Sequence, residues 1–180
     1  CKFCAVKTGN PMKQIDKGEP KNLAKALTEI KLFDYVVLTS VNRDDLEDGG
    51  AEHFAECIKE IKKEYPKIIV EVLIPDFRGD ISALRKIVTA KPEVIAHNIE
   101  TVERLQRKVR DIRANYQQSL KVLEGVKKMN AKIYTKSSIM LGLGETEQEV
   151  IQSMKDLRDI DVDILTLGQY LRPTEWHIPI

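Results

Sequence analysis

Charge of one sign is scarce: 29 Lys and Arg face 28 Asp and Glu, so no basic surplus points to nucleic acid or an anionic membrane. No apolar run approaches the length of a membrane span, and no signal peptide is legible. No methionine precedes Cys1, so the absence of a targeting segment excludes little by itself. Cysteine is sparse too. Three cysteines, two of them clustered, do not make the disulfide framework of a secreted domain, and a reducing interior fits better. What is present, 180 residues of which 42% are hydrophobic, suffices for one domain over residues 1–180 with a real core.

Short β-branched runs alternate with longer amphipathic stretches. The runs predict strands at Tyr35–Thr39, Ile68–Leu73, Val94–His97, Ile133–Met140 and Ile164–Leu167. Pro20 opens a helix whose apolar face is Leu23, Ala26, Leu27 and Ile30. Phe54, Ile58, Ile61 and Tyr65 line a second, stopped by Pro66. Asp80 caps a third, and Tyr116, Leu120 and Leu123 mark a fourth that ends near Asn130. Thr146 and Glu149 have capping-box spacing for a fifth. Runs such as Val36-Val37-Leu38 and Ile68-Ile69-Val70 read as strands buried on both faces. This rhythm is that of βαβ units, which build an open doubly wound sheet or a (β/α) barrel. Five strands cannot close an eight-stranded barrel, and the first helix has no strand before it. The expectation is therefore α/β, a partial (β/α) TIM-type barrel with its first strand missing.

Nearly every strand hands over to polar or glycine-rich sequence: Thr39-Ser40 through Asp45, Pro75 to Arg78, His97-Asn98 and Glu100, Leu141 to Glu145, and Gly168 to Arg172. Ligands of α/β folds bind at the carboxyl ends of strands, so this convergence reads as an enzyme face. Each item has a blander reading. Cys57 lies on the apolar helix face and reads as packing. The acids Asp44, Asp45, Glu47 and Asp48 serve either as a solvated helix start or as part of a site. Gly142 and Gly144 permit a turn, although their place between strand and helix leans toward anion or nucleotide contact. His97 alone reads as a hydrogen-bonded core histidine. Asn98 and Glu100 suit sugar hydroxyls. Lys136, inside a central strand, must reach either a cavity or a paired partner, and is read as functional.

Cys1 and Cys4 form a C-x2-C pair. Zinc ribbons, redox sites and iron–sulfur loops all use that spacing. A zinc ribbon needs a second pair, and none is present; a redox pair belongs at a helix start, whereas Gly9, Asn10 and Pro11 follow here. An iron–sulfur loop feeding an α/β barrel fits both pair and architecture.

Seven segments then carry a resemblance: Cys1-Lys2-Phe3-Cys4; Asp34 to Val41 with Arg43-Asp44-Asp45; Asp48-Gly49-Gly50-Ala51; Pro75 to Asp80; His97-Asn98-Ile99-Glu100-Thr101; Lys136-Ser137 with Leu141 to Glu145; and Thr166 to Tyr170 with Arg172-Pro173-Thr174. Spread in order over the chain, they resemble the lipoyl synthases, a family of radical S-adenosylmethionine (SAM) enzymes. The resemblance implies that Cys1 and Cys4 are the second and third cysteines of a C-x3-C-x2-C motif holding a 4Fe-4S cluster with one iron open to SAM. Reductive cleavage of SAM then yields a radical that removes hydrogen from an octanoyl chain on a carrier-protein domain. A second 4Fe-4S cluster, with ligands outside this chain, supplies two sulfur atoms. It implies Phe3 near the adenine, Thr39 and Ser40 near the SAM amino group, and Asn98 and Glu100 at the ribose or methionyl part. Arg113 and Lys136 become candidates for the SAM carboxylate or the substrate side. An electron-donor protein, and a bacterial cytoplasm or mitochondrial matrix, follow from the same resemblance. Ile112 stands where the family commonly has proline. The first cluster cysteine and the sulfur-donating cluster's ligands are expected outside these residues, so the fragment alone is expected to be inactive. Another sulfur-inserting radical SAM enzyme, or a zinc-stabilised α/β binding domain, are the alternatives.

Overall fold

The computed structural model describes residues 1–12, 14–30 and 33–179. Helix α1 (Glu19–Ile30) leads into β1 (Tyr35–Thr39), α2 (Ala51–Glu64), β2 (Ile69–Leu73), α3 (Ile81–Ala90) and β3 (Val94–Ala96). Then come the short α4 (Gln106–Val109), α5 (Tyr116–Met129), β4 (Tyr134–Leu141), α6 (Glu147–Asp159) and β5 (Ile164–Gln169). All neighbouring strands are parallel, and the sheet order is β1-β2-β3-β4-β5. That order decides between the two architectures. A doubly wound sheet reverses direction at a switch point, whereas strands laid down in chain order by right-handed crossovers put every helix on one face. The sheet is a partial barrel wall.

Local chemistry explains the elements. The Asp80 carboxylate accepts the Ser82 N–H at 2.7 Å and starts α3. Thr146 and Glu149 form the reciprocal capping box of α6. The start of α2 is held by Asp48, whose carboxylate accepts the N–H groups of Gly50 and Glu52, both at 2.9 Å, and pairs with Lys86 at 2.7 Å. Part of the acidic loop is thus a helix start, as its blander reading held. On α1 the buried stripe is Pro20 and Ala24, flanked by Leu23 and Leu27, while Ala26 and Ile30 face outward. The stripe is offset by one position from the expected one.

Val70, Val72, Ile95, Ile58, Ile61, Leu84 and Ile87 form the main core between sheet and helices, and a second cluster joins α5 and α6 to Ile139. Cys57 is buried on α2 at 7% exposure, and burial pushes its thiol up to about 11. The expectation of strands buried on both faces fails. Val37 is 51% exposed and Ile69 40%, because the helices cover one face and the concave face stays open. Tyr35, Val37, Thr39, Glu71, Lys136 and Ser138 belong to that concave face by the period of two along each strand and the pairing register.

Candidate functional site

The carboxyl ends of the strands gather the residues in question. Thr39 and Ser40 end β1 and are exposed. After β3 the chain turns through Asn98 to Glu100, which adopts φ 66°, a left-handed conformation costly for a residue with a Cβ. Its backbone is pinned on both sides: Glu100 N–H donates to Ser138 O at 3.1 Å, and Met140 N–H donates to Glu100 O at 2.9 Å. Strain held by neighbours in this way is a mark of functional loops. Burial raises the Glu100 carboxyl above its ordinary range, against the Arg110 charge and a hydrogen bond from Asn98. Asn98 and Glu100 are therefore brought together, as the sequence suggested.

The cysteine segment lies across the same end. Lys2 N–H donates to Val109 O at 2.8 Å, just after β3's exit loop, and Ile178 N–H donates to Lys2 O at 3.2 Å. Phe3 packs on the cluster of Val102, Leu105, Val109, Leu143, Tyr170 and Ile178, residues that follow β3, β4 and β5. Cys1 and Cys4 are exposed free thiols, and the Cys1 sulfur accepts the Asp111 N–H at 3.4 Å. Sequence reasoning missed the chain's last segment, where His177 Nε2 lies 3.1 Å from Cys4 O. Only the resemblance-bearing Arg172-Pro173-Thr174 signalled it: Thr174 Oγ1 lies 2.8 Å from His177 Nδ1 and Arg172 Nε donates to His177 O.

Arg113 joins the cysteine end to the β1 exit. Its guanidinium donates to Asp111 at 2.8 Å and to Asp44 at 3.0 Å, and Asp44 also pairs with Arg78. The hydrogen bond from Arg113 leads the causes that hold the Asp111 carboxyl down at about 2. Lys136 answers its two alternatives with a partner. Its ammonium lies 2.8 and 3.1 Å from the two oxygens of Glu71, itself 3% exposed and also accepting from the Tyr35 hydroxyl. Burial first, and Glu71 second, push the Tyr35 phenol up to about 12. Lys136 sits three residues before Ile139, the bridge partner of Glu100, hence about 10 Å lower along the strand. It is separate from the rim, already neutralised within the concave face.

The glycine turn is likewise filled from within. Glu145 accepts the N–H groups of Gly142 at 2.5 Å and Leu143 at 2.9 Å, so the amides expected to meet an anion hold the chain's own carboxylate. These bonds outweigh burial and lower its proton affinity. A cavity of about 330 Å³ lies on the helix side, between the starts of α3 and α5, lined by Asp80, Leu84, Asn115 and Gln118 among others, away from the cysteines.

His97 is the core histidine expected from the sequence. It is 4% exposed, with Nδ1 2.9 Å from Ile74 O and Nε2 2.9 Å from Ser119 Oγ. Burial depresses its pKa from 6.5 to about 4. The unfolded chain then protonates at higher pH than the folded one, so stability present above about pH 6.5 is lost as pH falls toward 4. The full shift corresponds to about 3 kcal/mol. Urea unfolding at pH 7 and pH 5 is expected to show the loss, and His97→Asn to remove most of the slope. A flat profile between those values contradicts it.

Among the described residues no group of three or more His, Cys, Asp or Glu could hold a metal ion. The two exposed thiols do fit an iron–sulfur cluster: they are soft donors, and a backbone N–H already points at one sulfur, as in cluster sites whose potentials are set by such bonds. Among the described residues, no helix is long and apolar enough to cross a membrane.

Comparison with known proteins agrees with this geometry. The chain is 58% identical over 180 residues to the lipoyl synthase of Thermus thermophilus and 57% identical to the mitochondrial lipoyl synthase of Trichoplax adhaerens. All of this chain is covered in both cases, but only 55% and 51% of those proteins, so it spans about half of their length. Among solved structures, methylornithine synthase superposes with a TM-score of 0.73 at 20% identity, covering 98% of this chain and 51% of that one. Hydroxymethylglutaryl-CoA lyase from Pseudomonas aeruginosa superposes at 0.60 with 16% identity, over 88% of this chain and 53% of that one. Two differently named enzymes on one fold show that the fold does not choose the chemistry. The family model of the Radical SAM superfamily, which matches residues 1–157, does choose its class, and with it the cluster and SAM: this chain belongs to the radical SAM superfamily.

Proposed function

We propose that the intact protein is a lipoyl synthase, inserting two sulfur atoms into an octanoyl chain carried on a protein domain. The observation that carries the reading is identity of 54% or more, over the whole chain, to proteins of that name from bacteria and from a mitochondrion. Cys1 and Cys4 would hold the 4Fe-4S cluster with a third cysteine outside these residues. When bound, the cluster supplies the electron that cleaves SAM. The chain's own residues bind and orient. Thr39 and Ser40 offer hydroxyls at the β1 exit toward the SAM amino group. Asn98 and Glu100, an amide beside a carboxylate, accept and donate to the ribose or methionyl polar groups. Phe3, anchored in its apolar cluster, would pack near the adenine. Arg113, already paired with Asp111 and Asp44, would join the cysteine segment to the rim rather than meet the SAM carboxylate. A second, sulfur-donating cluster, an electron-donor protein and the octanoylated carrier complete the reaction, in the cytoplasm of a bacterium or a mitochondrial matrix.

The test is anaerobic reaction of the reconstituted intact protein with an octanoylated carrier domain, followed by mass spectrometry of the carrier. The expected product has two sulfur atoms in place of two hydrogens. Formation of 5′-deoxyadenosine with no gain of sulfur refutes the substrate and selects another radical SAM reaction.

A further inference from the structure

Behind the rim lies a buried cation that neither the cysteines nor the strand-exit hydroxyls account for. Arg110 closes α4 and is 7% exposed. Its hydrogen bonds go to neutral oxygens: Gln106 Oε1 at 3.1 Å, Ser119 Oγ at 2.9 Å and, weakly, Ile99 O at 3.5 Å. Its Nε is a buried donor with no partner among the described residues. A buried guanidinium held only by neutral groups is costly, so its retention calls for a charge that it serves. Opposite charge reaches it through space, from Glu100 first and Asp76 second.

The hydrogen bonds around Arg110 converge on the loop that carries Glu100. Gln106 Nε2 donates to Ile99 O at 2.9 Å and Thr101 O at 2.6 Å, gripping the carbonyls on either side of Glu100, while its Oε1 faces Arg110. Arg110 must donate to Ser119 Oγ. The hydroxyl proton is then available to His97 Nε2, and His97 Nδ1–H donates to Ile74 O, one consistent set for a neutral imidazole. The set spans the exits of β2 and β3, α4 and α5. Its charged or titratable members are Asp76, His97, Glu100 and Arg110.

We propose that Arg110 is a positioning residue for Glu100: anchored by Gln106 and Ser119, it holds the β3 exit loop in its left-handed turn and keeps a cation near the half-buried carboxylate that meets SAM. The last clause rests on the assignment of Glu100 to SAM; the hold on Glu100 does not. Burial raises the proton affinity of Glu100 and Arg110 opposes it, so loss of the cation raises that affinity further. Binding that needs the carboxylate then fails at a higher pH.

The experiment follows the side-chain 13C resonance of Glu100 against pH in the intact protein without SAM, assigned by its loss in Glu100→Gln, and measures the SAM dissociation constant anaerobically from pH 5.5 to 8 (about the range between ordinary carboxylate and lysine titration). In Arg110→Gln the Glu100 titration is expected to move up by about one pH unit, and SAM binding to weaken about tenfold more at the acid end than at the alkaline end. Arg110→Lys, which keeps the charge, is expected to restore most of both. Unchanged Glu100 titration in Arg110→Gln overturns the proposal. A shifted titration with pH-independent SAM binding upholds the hold of Arg110 on Glu100 and overturns the contact of Glu100 with SAM. If Arg110→Gln does not fold, Ser119→Ala, which removes the arginine's 2.9 Å anchor, takes its place: its Glu100 titration is expected to move up in the same direction, and an unchanged titration overturns the proposal.

Discussion

Replacing Cys1 or Cys4 by alanine in the intact protein is expected to leave a folded protein that takes up no SAM-binding cluster and cleaves SAM at less than about 1% of the wild-type rate. Mutating even a group that merely orients a metal ligand costs about 10- to 100-fold, and loss of the ligand itself costs more. Folding should survive because both side chains are exposed, and the Cys1 sulfur receives only one long bond, from Asp111. The expected change in stability is within about 0.5 kcal/mol. Iron content, visible absorbance and 5′-deoxyadenosine yield measure the first part, and urea unfolding the second. Cys57→Ala serves as the control, since that thiol is enclosed by the helix core; it is expected to keep cluster and activity. A Cys4→Ala protein with full cluster content contradicts the ligand assignment.

Glu71→Gln is expected to have the largest effect on stability of any single change on the concave face. Glu71 is 3% exposed and accepts from Lys136 and Tyr35 together. Its neutralisation leaves the Lys136 ammonium without its counter-charge. Breaking a buried ion pair from one side costs about 3–5 kcal/mol. The Lys136 side chain is 27% exposed, which places the loss near the lower figure. Pairing Glu71→Leu with Lys136→Met removes both charges and is expected to recover most of the loss. Urea midpoints of the two variants give the comparison, and a Glu71→Gln midpoint equal to wild type contradicts the pair's importance. The effect belongs to the fold, so SAM affinity at low denaturant should change far less than stability.

These two sites also show what was legible beforehand. Strand β1 was readable from a β-branched run, α3 and α6 from their capping residues, and the chain-order sheet from the alternation of strand and helix. Cys57 and His97 took the ordinary roles their surroundings indicated, one on an apolar helix face and one at a strand end. Lys136 was ambiguous because its partner lies 65 residues away, and charge type alone cannot say which carboxylate arrives across the sheet. Exposure of Val37 and Ile69 was invisible for a related reason: a run of apolar residues fixes hydrophobicity, while the covering of the second face depends on where every crossover helix goes. The capture of the Gly142 and Leu143 amides by Glu145 was local and could have been foreseen, since a carboxylate two or three residues beyond a glycine turn competes with any external anion. Arg110 drew no attention because nothing in its neighbours Val109 and Asp111 shows that it turns inward to Ser119.

The central claim is that Cys1 and Cys4 belong to a cluster whose open iron meets SAM at the rim of this sheet. Electron paramagnetic resonance of the reduced, reconstituted intact protein, recorded with and without SAM after removal of any other cluster by mutation of its ligands, tests it most directly. The account predicts a 4Fe-4S signal that changes on SAM addition and is absent from Cys1→Ala and Cys4→Ala. A signal indifferent to SAM, or one that persists in both variants, contradicts it.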